Sequence, residues 1–215
     1  MSEIPKTIHY CWFGKKPMPE LAQKCLKSWD IFLPDYKKVL WNEDSFDVQS
    51  VRFTREAYER GKYAFVSDYV RLYALYNYGG IYMDADVEVV KNLDGFLEFP
   101  AFSGFEKTEF IPTGIIGAVK YHPWIKRFLD YYRDKAFLWG DGSMDMTPNV
   151  IFMSRISENE FGLKRNNEMQ ILKDGVHIFP NDYFCPMVWE TRQIHFTENT
   201  RTIHHFAASW MKPDI

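Results

Sequence analysis

Two periods of apolar residues organise this chain. Thr7-Ile8-His9-Tyr10-Cys11-Trp12 is a short apolar run just after Pro5 and predicts a first buried strand. Beyond a loop holding Gly14, Pro17 and Pro19, Leu21, Cys25, Leu26, Trp29 and Phe32 recur at helical spacing over 20–32, and Pro34 stops that helix. Residues 36–41 predict a second strand, closed by an Asn42-Glu43-Asp44 turn. A helix around 54–61 precedes a longer one over 64–78, which is apolar nearly all round and therefore expected to be buried. The Gly79-Gly80 pair ends it, and a short apolar strand follows that delivers Asp84-Ala85-Asp86 and continues through 87–90. Further strands are expected near Phe102 and over 114–119, helices over 123–134 and 148–157, and a closing strand-like segment over 203–206. Strands alternating with helices predict an α/β fold with a mainly parallel sheet flanked by helices. With no repeat and no low-complexity linker, one domain over 1–215 is expected.

The strand after Gly80 carries the sharpest chemistry. Side chains at i and i+2 of a strand share a face, so Asp84 and Asp86 are expected side by side, where like charges repel and a divalent cation relieves them. A lone Asp-X-Asp is more often a polar strand end. Here apolar residues flank the pair on both sides, and buried carboxylates need a partner. On the long helix, Ser67, Asp68 and Arg71 interrupt the apolar surface. Asp68 and Arg71 stand at i, i+3 and can pair with each other, or Asp68 can accept from sugar hydroxyls with Arg71 placing it. In His204-His205-Phe206-Ala207-Ala208-Ser209-Trp210 the adjacent histidines point to opposite faces of a strand, so one of them can reach a given site. An imidazole joining two aspartates favours Mn²⁺ over Mg²⁺, and the Trp210 indole N–H can donate to a phosphate or leaving oxygen. Trp12, at the carboxyl end of the first strand, can stack on a base or fill the core.

Composition narrows the field. The chain has 215 residues with a net charge of −3, so it lacks the basic field of a nucleic-acid-binding protein. Aromatic residues reach 18%, which suits sugar rings and bases as well as cores. The three cysteines, Cys11, Cys25 and Cys185, are scattered without metal-site spacing, so a reducing compartment is expected. No apolar run approaches the roughly 18 residues that span a bilayer, and the first 30 residues have no signal-peptide pattern, so a soluble, cytoplasmic chain is expected.

Ile4-Pro5-Lys6-Thr7-Ile8-His9-Tyr10-Cys11-Trp12-Phe13-Gly14, Ser67-Asp68-Tyr69-Val70-Arg71, Tyr78-Gly79-Gly80-Ile81-Tyr82-Met83-Asp84-Ala85-Asp86 and the His204 to Trp210 segment together resemble glycosyltransferase family 32. That family of DxD-containing, sugar-nucleotide-dependent enzymes includes bacterial enzymes of capsular polysaccharide and lipopolysaccharide synthesis. It is related to fungal α-1,6-mannosyltransferases, and the same signatures are similar to those of the clostridial glucosylating toxins. The resemblance implies a GT-A fold, Rossmann-like, and retention of anomeric configuration. It implies Trp12 stacked on the base, Ser67, Asp68 and Arg71 at the donor sugar, and Tyr82 near the ribose or diphosphate. Asp86 would ligate Mn²⁺ (or Mg²⁺) directly, Asp84 through ribose or water, and His204 or His205 would complete the metal or diphosphate position. Ser209 and Trp210 would close over the diphosphate. Thr113 stands where many relatives carry Asn, and Asp145 and Asn149 follow on the acceptor side.

The implied function is a metal-dependent, retaining transfer of a hexose-type sugar from a nucleotide-sugar donor, UDP-sugar favoured, to a glycan or lipid-linked oligosaccharide. Peripheral association with the inner face of the cell membrane fits such an acceptor, although no basic amphipathic helix supports it. A cation-dependent carbohydrate-binding module without turnover is the alternative. A glycosidase using Asp84 and Asp86 fits less well, because neighbouring strand residues do not flank a scissile bond.

Overall fold

The computed structural model describes residues 3–106 and 109–207. Thr7–Cys11 forms β1, Glu20–Phe32 α1, Lys37–Trp41 β2, Arg52–Glu59 α2 and Tyr63–Tyr78 α3. Gly80–Met83 forms β3, Val87–Val89 β4, Ala101–Gly104 β5, Ile115–Ala118 β6, Pro123–Tyr131 α4 and Asn149–Phe161 α5. Gln170–Ile171 forms β7, Val176–Phe179 β8, Asn181–Phe184 α6 and Thr202–His204 β9.

Seven strands make one sheet in the order β2-β1-β3-β6-β5-β8-β7, and β4 pairs with β9 in a separate ribbon. β1, β2, β3, β5 and β8 run one way, whereas β6 and β7 run against them. The α/β class is as expected and the sheet is mixed, most of its strands being parallel in direction. Both faces are covered, which is why its strands read as near-continuous apolar runs. Along β3 the faces alternate: Tyr82 joins the cluster of Val66, Val70, Phe65 and Phe137, while Ile81 and Met83 join Trp29, Leu33 and Val87.

The Gly79-Gly80 pair is forced by geometry. Both residues have positive φ, 68° and 111°, and a Cβ on Gly80 would lie 2.6 Å from the Thr7 carbonyl oxygen of the neighbouring β1. His9 secures this corner. Its Nε2 donates to the Gly79 carbonyl at 2.8 Å, which requires the proton on that nitrogen, and its Nδ1 accepts from Trp41 Nε1 at 3.1 Å. Burial holds the His9 pKa below its ordinary value, so the ring stays neutral in this role.

The strand expected to carry both aspartates ends at Met83. Asp84-Ala85-Asp86 is a turn closed by the Val87 N–H on the Asp84 carbonyl at 3.0 Å, and 87–89 leaves the main sheet for the ribbon with β9. Asp at the first position of a turn is favoured because its short polar side chain competes with the ladder. β7, β8 and α6 were not foreseen, although Val176–Phe179 is an apolar run between Gly175 and Pro180.

Candidate metal and donor site

The parallel run of β1 and β3 brings their carboxyl ends to one edge, and the antiparallel β6 begins there, since Met83 is paired with Ile115. Trp12, Asp84 and the Thr113-Gly114 segment therefore gather at this edge, the place where open α/β sheets bind ligands. The turn aims the two carboxylates towards β9. His204 Nε2 lies 3.4 Å from Asp86 Oδ1 and 4.0 Å from Asp84 Oδ2. One ligand atom from each of the three lies within 4.8 Å of the others. Gly114 makes room for the ring, because a Cβ there would stand 2.9 Å from His204 Nδ1.

Each carboxylate has its own support. Asp84 Oδ1 accepts from the Tyr82 hydroxyl at 2.8 Å and lies 3.4 Å from Arg71 Nη1. Asp86 Oδ2 accepts from the Ala207 N–H at 2.7 Å. Burial disfavours ionisation of Asp86, yet the neighbouring His204 charge and the Ala207 N–H outweigh it and hold the carboxyl well below its usual range. Burial likewise opposes the His204 imidazolium, and Asp86 overrides it, raising the ring well above its ordinary value.

Beside this group lies a closed ring of hydrogen bonds. Arg71 Nη2 donates to Asp68 Oδ1 at 2.9 Å, and Arg71 Nη1 donates to the Thr113 carbonyl at 2.6 Å. Thr113 Oγ1 donates to Asn149 Oδ1 at 3.1 Å, and Asn149 Nδ2 returns to Asp68 Oδ1 at 2.6 Å. All four residues are buried. Asp68 and Arg71 do pair with each other, and the pair is also tied to residues 42 and 81 positions away. Burial is the largest influence on Asp68, and with Asp84 nearby its pKa is pushed up to about 7 against the pull of Arg71 and Asn149.

The remaining expected site residues divide. Trp12 is half-buried one residue beyond β1, its indole N–H donating to the Lys16 carbonyl at 2.7 Å. Ser67 is half-buried and caps back onto the Tyr63 carbonyl at 3.2 Å. Tyr82 is 1% exposed under the Arg71 guanidinium, so it orients Asp84 instead of lining a surface. His205 is turned away, its Nε2 bonded to Glu88 at 2.7 Å, and the choice between the two histidines falls on His204. The reason is the alternation of β9, where register pairs His204 with Val87. Asp145 is held by Lys135 at 2.5 Å and by the Thr147 N–H, apart from the Asp68 ring that Asn149 joins. Ser209 and Trp210 lie outside the described residues. Residues that sequence reasoning missed include Cys185 and Glu106, whose ligand atoms also lie within 4.8 Å of His204. Neither sits in a spacing that could have flagged it.

The donor set fits a hard divalent cation. Two carboxylate oxygens and one imidazole nitrogen converge, the carboxylates are partly buried, and Arg71 lies beside Asp84 while the His204 ring lies beside Asp86.

The sheet and its flanking helices form a GT-A fold. PaToxG Glycosyltransferase shares the fold with a TM-score of 0.55 at 22% identity, covering 74% of this chain and 70% of that one. Residues 19–103 match the family described as "Glycosyltransferase sugar-binding region containing DXD motif". Over 126 residues it is 34% identical to "Inositol phosphoceramide mannosyltransferase 3" of Schizosaccharomyces pombe, covering 57% of this chain and 35% of that protein. "Uncharacterized glycosyltransferase L373" of Acanthamoeba polyphaga mimivirus is 28% identical over 210 residues, covering 85% of this chain and 77% of that protein. The chain spans 35%, 36% and 38% of the length of three curated fungal sphingolipid mannosylating enzymes that it matches.

Proposed function

We propose that this chain transfers a hexose from a nucleotide-sugar donor to a hydroxyl of a glycan or lipid-linked acceptor, with retention at the anomeric carbon and dependence on a divalent cation. The observation that carries this reading is the convergence of Asp84, Asp86 and His204 next to the buried Asp68–Arg71 ring. Cleavage of the anomeric bond leaves negative charge on a nucleoside diphosphate and oxocarbenium character on the sugar. Asp86 and His204, with Asp84 alongside, would hold Mn²⁺ or Mg²⁺, which would supply a Lewis acid for that departing charge. Asp68, fixed through Oδ1, accepts from sugar hydroxyls with its other oxygen. Arg71 holds Asp68 and Asp84 at a set separation, and Tyr82 orients Asp84. Trp12 stacks on the base, and Ser209 and Trp210 donate to the diphosphate, as the family resemblance implies.

Asp84 and Asp86 do not flank a cleft in the glycosidase manner. Asp84 and Asp86 both turn towards His204, on one side of the site. Retention is therefore assigned to same-face attack by the acceptor hydroxyl. The names of the curated relatives make mannose the first sugar to test and support a lipid acceptor.

The test is a screen of UDP- and GDP-hexoses for nucleoside diphosphate release, with EDTA and then with Mn²⁺ restored. Release that disappears with EDTA, returns with Mn²⁺ and is abolished in Asp86→Ala with an unchanged circular dichroism spectrum is the expected result. Full turnover in Asp86→Ala would sink the cation assignment. Sugar binding with no turnover under any condition assigns a carbohydrate-binding module instead.

A further inference from the structure

The His204 imidazole is held from a part of the chain that no family signature reaches. Residues 186–195 form a hairpin, with Met187 bridged to Ile194 and the His195 N–H bonded to the Pro186 carbonyl at 3.0 Å. At its tip the Arg192 N–H bonds back to the Val188 carbonyl at 2.8 Å, and Arg192 adopts a φ of 60°. From there Arg192 Nη1 donates to two successive carbonyls, His205 at 2.8 Å and Phe206 at 3.1 Å. Its guanidinium lies 4.3 Å over the ring of Trp189, which fixes the direction of the fork.

The grip extends to the imidazole through rings. Trp189 meets Phe206 edge-on, with centroids 5.6 Å apart, and Phe206 lies against His204 with centroids 4.2 Å apart. On the opposite side of the same segment, Asp86 accepts from the His205 N–H through its carbonyl at 3.1 Å and from the Ala207 N–H through its carboxylate at 2.7 Å. Residues 205–207 are thus held between Asp86 and Arg192. Phe206 sits in this clamp at a φ of 48°, a conformation that costs a non-glycine residue free energy and persists when its surroundings over-determine it.

We infer that Arg192 is a positioning residue for the cation site, acting through the His205 and Phe206 backbone and the Phe206 ring to set the His204 imidazole opposite Asp84 and Asp86. This rests on the reading of Asp84, Asp86 and His204 as a cation site. It extends that reading to a residue with no contact to the cation. A typical intramolecular hydrogen bond adds only modestly to global stability. This one acts on the placement of a ligand, and outer supports of metal ligands typically change affinity about 10–100-fold.

The test is Mn²⁺ binding to the whole chain without donor, followed by electron paramagnetic resonance. The free-ion signal gives Kd, and nitrogen hyperfine coupling reports the imidazole at the ion. Arg192→Ala is expected to raise the Kd about tenfold and to weaken the nitrogen coupling. Arg192→Lys, which keeps a donor for both carbonyls, recovers most of both. His204→Ala loses the coupling outright. Trp189→Leu, which removes the ring beneath the guanidinium, is expected to shift Kd in the same direction and serves if Arg192→Ala is too unstable to study. A wild-type Kd and nitrogen coupling in Arg192→Ala and Trp189→Leu, even with a lower Tm, overturns the inference and leaves the cation site standing. Absence of Mn²⁺ binding by the wild-type chain overturns both.

Discussion

At the scale of single residues, Asp68 is the group whose charge state is most open to change. Burial raises its pKa to about 7, with Arg71 and Asn149 opposing. The ionised carboxylate is the stronger acceptor for sugar hydroxyls, so donor turnover is expected to rise with pH through about 7. Asn149→Ala removes a donor to the ionised form, worth about one pKa unit for a charge-assisted hydrogen bond. The acid limb of kcat/KM for the donor should move upward by about that amount, with a raised donor KM. An unmoved limb would detach Asn149 from Asp68 and return it to the acceptor side. The same shift has a consequence for folding. Between the ordinary value of 3.8 and about 7 the folded state keeps a proton that the unfolded state has released. The contribution therefore favours folding below that window and is lost as pH rises through it. Ser67, Asp68 and Arg71 were visible in the sequence as polar breaks in an apolar helix. Their tie to Asn149, 81 positions on, was not, because nothing in local spacing encodes a contact between the first residue of α5 and the middle of α3.

At the scale of elements, the ribbon of β4 and β9 carries His204 and depends on α1. The Trp29 indole donates to the Val87 carbonyl at 2.8 Å, and the Val89 N–H donates to Ser28 Oγ at 2.9 Å, both in buried surroundings. Helical periodicity over 20–32 marks Trp29 as apolar and inward-facing, which it is, yet gives no hint of its hydrogen bond. Trp29→Phe keeps an aromatic ring and leaves the Val87 carbonyl unsatisfied, a loss of about 1–3 kcal/mol. Urea denaturation should show that decrease in unfolding free energy at an unchanged m value. A smaller loss would mean that water reaches the carbonyl. The misassigned strand over 84–86 belongs to this scale too. Apolar residues on both sides of the aspartates belong to two different sheets, and a linear pattern cannot distinguish one long strand from two short ones joined by a turn.

For the molecule as a whole, the candidate cation site joins two regions distant in sequence: the turn between β3 and β4, which carries Asp84 and Asp86, and β9, which carries His204. A ligand that binds the folded state alone stabilises it by mass action, about 2.7 kcal/mol at one hundred times Kd. Thermal unfolding with Mn²⁺ should therefore show a raised Tm that EDTA removes, and Asp86→Ala should lack the increase. An equal increase in that variant would place the ion elsewhere. Among the described residues no helix is long and apolar enough to cross a membrane.

The sequence by itself determined the α/β class, the buried long helix, the glycine corner and the pairing of two aspartates, because each follows from local periodicity, steric demand or spacing. Only the tertiary structure decided that the aspartates converge through a turn, that His204 and not His205 meets them, and that Asp145 is occupied by Lys135. It also decided that Asn149 belongs with Asp68 and that Arg192 reaches the carbonyls beside His204. Those outcomes depend on which surfaces pack together across dozens of residues, and side-chain direction at such junctions is set by packing and hydrogen-bond satisfaction, not by the order of neighbours along the chain.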